Sequence, residues 1–309
     1  MGASLGTQPN KYVEPDAGLE ARSAESIGYK LVKVRGVPQN PLFDVAKFEA
    51  LIANFEARDS DVFVCTYVKA GTTWTQQILT KLLGSSKKYG EVVPWLEALC
   101  ATQILPEREA PGWSLETVAA AEGPRYFKSH AVVADLPGGA DKPKVIVVAR
   151  NPKDTVVSLY HHAKNKPEFG FGNGTFDDFL EVFLSGNAEN GSWFKHVVEW
   201  YQISQAAPDK CLFLTFEDMK RDTPGAVRQM AAFLGISADA ALIQDTVANS
   251  TMKAMQETAN IGLGHLRQGE IGKWRETFTV AQSDLFDKVY KIKMRGTGLV
   301  FDFGDGLKF

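Results

Sequence analysis

The sequence predicts a single α/β domain with a central, mostly parallel sheet flanked by helices. Three observations predict it. Apolar runs such as Lys144-Val-Ile-Val-Val-Ala-Arg150 have the continuity of strands covered on both faces. These runs alternate with stretches of helical character, which implies right-handed crossovers and a parallel sheet with helices on both sides. No linker divides the 309 residues into two parts.

Taken in order, residues 1–25 are small and polar and are expected to be poorly ordered, with the domain covering 26–309. A short apolar strand runs from Asp61 toward Lys69 and enters a tight Lys69-Ala70-Gly71 turn. A hydroxyl-rich helix start, Thr72-Thr73-Trp74, follows, and the helix continues to Leu83. Arg125-Tyr-Phe-Lys128 reads as a short strand. The buried strand ending at Arg150 is followed by Asn151-Pro152, a helix-start pair, and by a helix carrying Asp154 to Lys164. A Gly-rich loop covers Gly170 to Gly174, and helices are expected over Phe176–Leu184 and Ser192–Ala206. Cys211-Leu-Phe-Leu-Thr-Phe216 is another buried strand, followed by Glu217-Asp218 and an amphipathic stretch to Leu234.

Composition narrows the function classes. The chain is 44% hydrophobic, ample for a large core, and its net charge of -3 argues against a general nucleic-acid binder. A local basic site for a small anion remains compatible with that charge. The three cysteines, Cys65, Cys100 and Cys211, are scattered and form no C-x-x-C pair. Neither a disulfide framework nor a Cys-rich zinc site is expected, and a reducing cytoplasm is the simplest setting. No secretory start and no apolar run of membrane-spanning length is present, and Gly6 stands where a myristoylation start wants Ser or Thr. The three Asn-x-Ser/Thr matches at Asn173, Asn190 and Asn249 are read as coincidental without a secretory route.

Strand, glycine turn and helix N-terminus together make an anion cradle, because first-turn N–H groups and the helix dipole favour a phosphate. The residue order is unusual. A nucleoside-triphosphate loop reads G-x-x-x-x-G-K-[ST], with Lys after the last Gly. Here Lys69 precedes Gly71 and no Gly opens the loop. In open parallel sheets, ligands lie beyond the carboxyl ends of the strands. Lys69, Lys128 with His130, Arg150 and Phe216 all fall at such ends, as one composite anion and nucleotide site requires. Period-two alternation puts Lys128 and His130 on the same side. Taken alone, Trp74 reads as core and Thr72 and Thr73 as helix caps.

Five segments in register carry a family resemblance. Tyr67-Val-Lys69-Ala-Gly-Thr-Thr-Trp74 is similar to the Y-P-K-[SA]-G-T-T-W loop of the cytosolic sulfotransferases. Lys128-Ser-His130 resembles their K-[ST]-H segment, and Arg150-Asn-Pro-Lys-Asp-Thr-Val-Val-Ser158 resembles their 3′-phosphate strand and helix. Leu212-Phe-Leu-Thr-Phe-Glu-Asp-Met219 resembles Y-E-D-M, and Arg267-Gln268-Gly269-Glu-Ile-Gly-Lys-Trp274 resembles R-K-G-x-x-G-x-W. The match covers residues 30–303.

The resemblance implies a P-loop-like sulfotransferase fold. It also implies a donor, 3′-phosphoadenosine 5′-phosphosulfate (PAPS), and a product, the 3′,5′-bisphosphate PAP, with no metal. Lys69, Ala70, Gly71, Thr72 and Thr73 would hold the 5′ end, with Trp74 stacking on adenine. His130 would take the acceptor's proton, while Lys69 and Lys128 stabilise charge on the transferring group. Arg150, Ser158, Arg267, Gln268 and Gly269 would hold the 3′-phosphate. Phe216, Ser250 and Met252 would surround the base. Three positions depart from the pattern: Val68 for Pro, Gln268 for Lys and Phe216 for Tyr, which bear on donor affinity more than on reaction type. Trp95 matches the segment that supplies an aromatic wall to the acceptor pocket, while His162 and Asn190 stand where phenol-binding relatives often carry aromatics and predict a more polar pocket than one built for flat phenols. Arg275 to Asp284 resembles a short dimer motif and predicts a homodimer, with no nucleic-acid or membrane partner. Two rivals remain: a P-loop kinase, which would need Mg²⁺ and ATP, and a non-catalytic nucleotide-binding protein.

Overall fold

The computed structural model describes residues 12–102, 105–259 and 269–304. Strands β1 (Val32–Val34) and β2 (Val37–Gln39) form an antiparallel hairpin. Its turn has positive φ at both central residues, Arg35 and Gly36, which matches the strands' twist. Helix α1 (Val45–Asn54) is capped by the Asp44 carboxylate. The buried strand β3 (Val62–Thr66) then leads into α2 (Thr72–Leu82). Short helices α3 (Tyr89–Val92), α4 (Leu105–Glu109) and α5 (Leu115–Ala120) precede β4 (Tyr126–Ser129). Strand β5 (Lys144–Ala149) enters α6 (Pro152–Asn165), followed by α7 (Phe176–Leu184) and α8 (Trp193–Ala206). Strand β6 (Cys211–Thr215) enters α9 (Phe216–Arg221), and α10 (Thr223–Leu234), α11 (Ala240–Ala248), α12 (Met252–Ala259) and α13 (Val280–Lys293) follow.

The central sheet runs β4-β3-β5-β6, all parallel. β3 leads to β4 on one side while β5 leads to β6 on the other, so a ligand crevice opens at the carboxyl ends of β3 and β5. Alternating residues serve opposite faces. Phe63, Cys65, Val145 and Val147 pack with Trp95 and Trp200. Val62, Ile146 and Val148 pack with Ile78, Val227 and Met230. A third cluster joins Tyr67, Val68 and Ala149 to the aromatic rings of α7, α8 and α13, and so supports the strand ends from beneath.

The expected strands and helices are found within two residues at their starts, with one further break. The stretch ending at Leu234 is two helices, because Asp222 caps α10 through the Gly225 N–H and Pro224 stands in its first turn, where no continuing helix bond is needed. Of the N-terminal residues, 12–25 lie against the domain. The Tyr12 hydroxyl donates to the Lys293 carbonyl at 2.7 Å, and Arg22 pairs with Asp178 and Glu181. Among the described residues, no helix is long and apolar enough to cross a membrane.

Candidate active site

The strand ends meet at a cavity of about 280 Å³. Lys69, Gly71, Thr72, Thr73 and Trp74 reach it from β3 and α2, and Lys128 and His130 from β4. Arg150 and Ser158 come from β5 and α6, and Phe216 follows β6. Ser250, Met252 and Gly269 close one end, and Trp95 and His162 line the other. Ala70 is fully buried beneath the loop, its N–H donating to the Tyr67 carbonyl at 3.2 Å. Arg267 and Gln268 lie outside the described residues.

The loop is built to face an anion. The Tyr67 hydroxyl donates to the carbonyls of Glu189 (3.1 Å) and Gly191 (2.9 Å), which pins the loop's start. Lys69 sits at φ 69, a conformation lysine rarely adopts, and such strain collects at functional sites. Gly71 has φ 109, and a Cβ there would lie 2.8 Å from Phe216 Cδ2, so glycine is required twice over. Among the described residues no side chain caps α2, which leaves first-turn N–H groups to a ligand. The Thr66 and Thr72 hydroxyls bond each other at 2.6 Å and lock strand to helix.

At the other end, Arg150 lies over the Phe216 ring at 4.6 Å, and its Nη2 donates to the Glu270 carbonyl at 2.8 Å. Trp74 and Phe216 meet edge to face with centroids 5.5 Å apart. Asp154 ties the late loop to α6: its carboxylate accepts from the Gly272 N–H at 2.8 Å and the Trp274 N–H at 2.9 Å. That anchorage sets Gly269 against the cavity, where a Cβ would come within 2.8 Å of Met252 Cε. A smaller space of about 30 Å³ lies between Arg150, Ser158, Gly269 and Lys273.

Around the reacting end, the segment Pro94 to Leu96 runs along β4, with Lys128 N–H donating to the Pro94 carbonyl at 2.8 Å. This places the Trp95 ring 4.2 Å from Lys128 Nζ and 5.2 Å from the His130 ring. Ser129, between them, donates to the buried Glu97. His130 Nδ1 is 2.8 Å from the Thr66 carbonyl, which can only accept, so Nδ1 carries the hydrogen and Nε2 keeps its lone pair. Burial first, and Lys128 second, hold the His130 imidazole well below its ordinary value, so it is neutral at neutral pH. Burial and then Lys128 push the Lys69 ammonium down to about 8.

Residues 59–298 match the family model described as the sulfotransferase domain. The chain is 35% identical over 302 residues to Sulfotransferase 1A1 of Mus musculus, covering 90% of this chain and 98% of that relative. It belongs to the sulfotransferase family. Sulfotransferase 4A1 of Homo sapiens is 35% identical over 265 residues, 85% of this chain and 90% of that one. The crystal structure of mouse sulfotransferase SULT7A1 complexed with PAP aligns with a TM-score of 0.74 at 25% identity, covering 86% of this chain and 94% of that chain.

This sulfotransferase also brings residues to the cavity that sequence reasoning missed, notably Asn40, Arg108, Glu109, Glu168, Glu189 and Lys220. Glu109 pairs with Lys128 at 3.0 Å and Arg108 at 3.2 Å. Asn190, expected at the acceptor pocket, is buried and directs its amide to Gln39 Oε1 at 3.0 Å, and its neighbour Glu189 faces the cavity instead. No short motif marks these carboxylates. Among the described residues, no group of three His, Cys, Asp or Glu side chains could hold a metal ion.

Proposed function

We propose that this sulfotransferase moves a sulfuryl group from PAPS to a hydroxyl or amine of a small acceptor by direct displacement, without a metal. The observation that carries the reading is the convergence of Lys69, Lys128 and His130 on one cavity, with the His130 Nε2 lone pair left available. PAPS supplies the sulfuryl group, joined to its bisphosphate through a bridging oxygen. The α2 first turn and Lys69 hold the 5′ end, Trp74 and Phe216 bracket the base, and Arg150, Ser158 and the Gly269 loop hold the 3′-phosphate. The two residues outside the described segments, Arg267 and Gln268, would join that phosphate site.

His130 Nε2 takes the acceptor's proton as the acceptor oxygen or nitrogen bonds to sulfur. The sulfur–bridging-oxygen bond breaks, and PAP leaves with the electron pair. Lys69 neutralises the leaving oxygen, and Lys128, drawn from Glu109 by the donor's charge, stabilises the transferring group. Sulfuryl transfer, like phosphoryl transfer, calls mainly for in-line positioning and charge stabilisation. The test is incubation with PAPS and a mixed acceptor pool. PAP release matched by sulfated product supports the reading, whereas transfer that needs ATP and Mg²⁺ contradicts it.

We also propose a cytoplasmic setting and a homodimer through Arg275 to Asp284. Val280, in that segment, is 79% exposed although apolar. Val280→Glu is expected to convert the dimer to monomer by light scattering, and a wild-type monomer contradicts the proposal.

A further inference from the structure

The geometry points to Glu189 as the residue that selects the acceptor, through a cationic amine carried in addition to the group that receives the sulfuryl. This rests on the sulfotransferase reading of the same cavity and goes beyond it by naming the substrate class.

Glu189 is held at the cavity wall by contacts on both sides of its backbone. Its carbonyl accepts from the Tyr67 hydroxyl at 3.1 Å. Asn190, at φ 66, donates its N–H to the Pro38 carbonyl at 2.8 Å and its amide to Gln39. The turn therefore presents Glu189 inward, not to solvent.

Glu189 is only 3% exposed, yet its side chain lines the cavity. Its Oε2 has no hydrogen-bond partner among the described residues. The His162 Nε2 is 3.7 Å away, beyond hydrogen-bond reach and an ion pair only when that imidazole is protonated. A buried carboxylate oxygen left without a donor is costly, and a ligand donor removes that cost.

The charges around it favour a cation over a neutral donor. The cations Lys128 and Arg108 both engage Glu109 at this end of the cavity. Burial raises the Glu189 carboxyl to about 7, opposed first by Lys69 and then by a side-chain hydrogen bond with Asn40, and the donor's anionic end competes for Lys69. Glu168 adds a second carboxylate to the cavity lining, and Lys166 interacts with both carboxylates. Once the donor binds, an ammonium on the acceptor is the group that restores the balance, and charge-assisted bonds are about twice as strong as neutral ones. Trp95, in the same cavity lining, offers apolar surface for the acceptor's body.

The test compares 4-(2-aminoethyl)phenol with 4-ethylphenol, which share the reacting hydroxyl and differ in the amine. Both are measured as acceptors with PAPS and, by calorimetry, as ligands of the PAP-bound protein. The amine is expected to win by about tenfold or more in kcat/KM and in affinity, the size of one charge-assisted contact. Glu189→Gln should bring both ratios close to one, and Glu189→Asp should lower them by less. Melting with added PAP shows whether each variant keeps its donor end. Equal handling of the two phenols by the wild type, or an undiminished ratio in Glu189→Gln, overturns the assignment. Preferential binding of the amine with no PAP release on turnover keeps Glu189 as the selector and overturns the sulfotransferase reading instead.

Discussion

His130 donates its Nδ1 hydrogen to the Thr66 carbonyl at 2.8 Å, and this bond decides which ring nitrogen can act. Thr66 is the last residue of β3 and its hydroxyl is locked to Thr72 at the start of α2. The base is thus oriented by the same strand end that begins the anion loop. His130→Asn retains a donor for Thr66 and lacks a base. We expect turnover to fall by about 10²–10⁴ while PAP still binds. Turnover near that of wild type would remove His130 from the chemistry.

Lys69 sets the alkaline side of the pH profile. Its ammonium is held down to about 8, so the empty site carries that charge below pH 8 and loses it above. His130 stays neutral to well below its ordinary value, so no loss from that group is expected near neutrality. The kcat/KM for PAPS should be level near pH 7 and fall as pH rises through about 8. In Lys69→Arg, whose guanidinium stays protonated, the falling limb should move out of range. An unchanged limb in that variant would assign it to another group.

Gly71→Ala meets two obstacles at once. A positive φ costs an L-residue about 1–2 kcal/mol, and the new Cβ would lie 2.8 Å from Phe216 Cδ2. We expect a lower melting temperature and a loss of most of the stabilisation given by PAP. A variant that melts as wild type and binds PAP equally would show that the loop tolerates both changes.

Asp154→Ala removes the acceptor for the Gly272 and Trp274 N–H groups. Each buried N–H left unpaired costs about 1–3 kcal/mol. Chemical denaturation should register the loss, and PAP affinity should fall at least about tenfold, because the loop carrying Gly269 is released. Destabilisation with unchanged PAP affinity would make Asp154 a purely structural tie.

How much was legible in the sequence follows from where each signal lies. Lys69, His130, Arg150 and Phe216 could be placed because each follows an apolar run, and strand ends in a parallel sheet converge. The tripeptide strands of the β1–β2 hairpin are too short for a period-two pattern to register. In the sequence Asp154 reads only as a helix residue, because its partners lie 118 and 120 residues further along the chain. Glu109 pairs with Lys128, 19 residues further along and beyond α5, which no local pattern predicts. Glu189 and Asn190 differ in direction only because Asn190 takes a left-handed conformation, a choice made by the contact with Pro38 and Gln39.

The most direct measurement follows PAPS bearing a labelled sulfur through a single turnover with an acceptor mixture in the presence of a chelator. The account predicts that label passes to the acceptor, that one PAP is released per sulfated product, and that no labelled protein accumulates. Label left on PAPS throughout, or label trapped on the protein before reaching the acceptor, would contradict it.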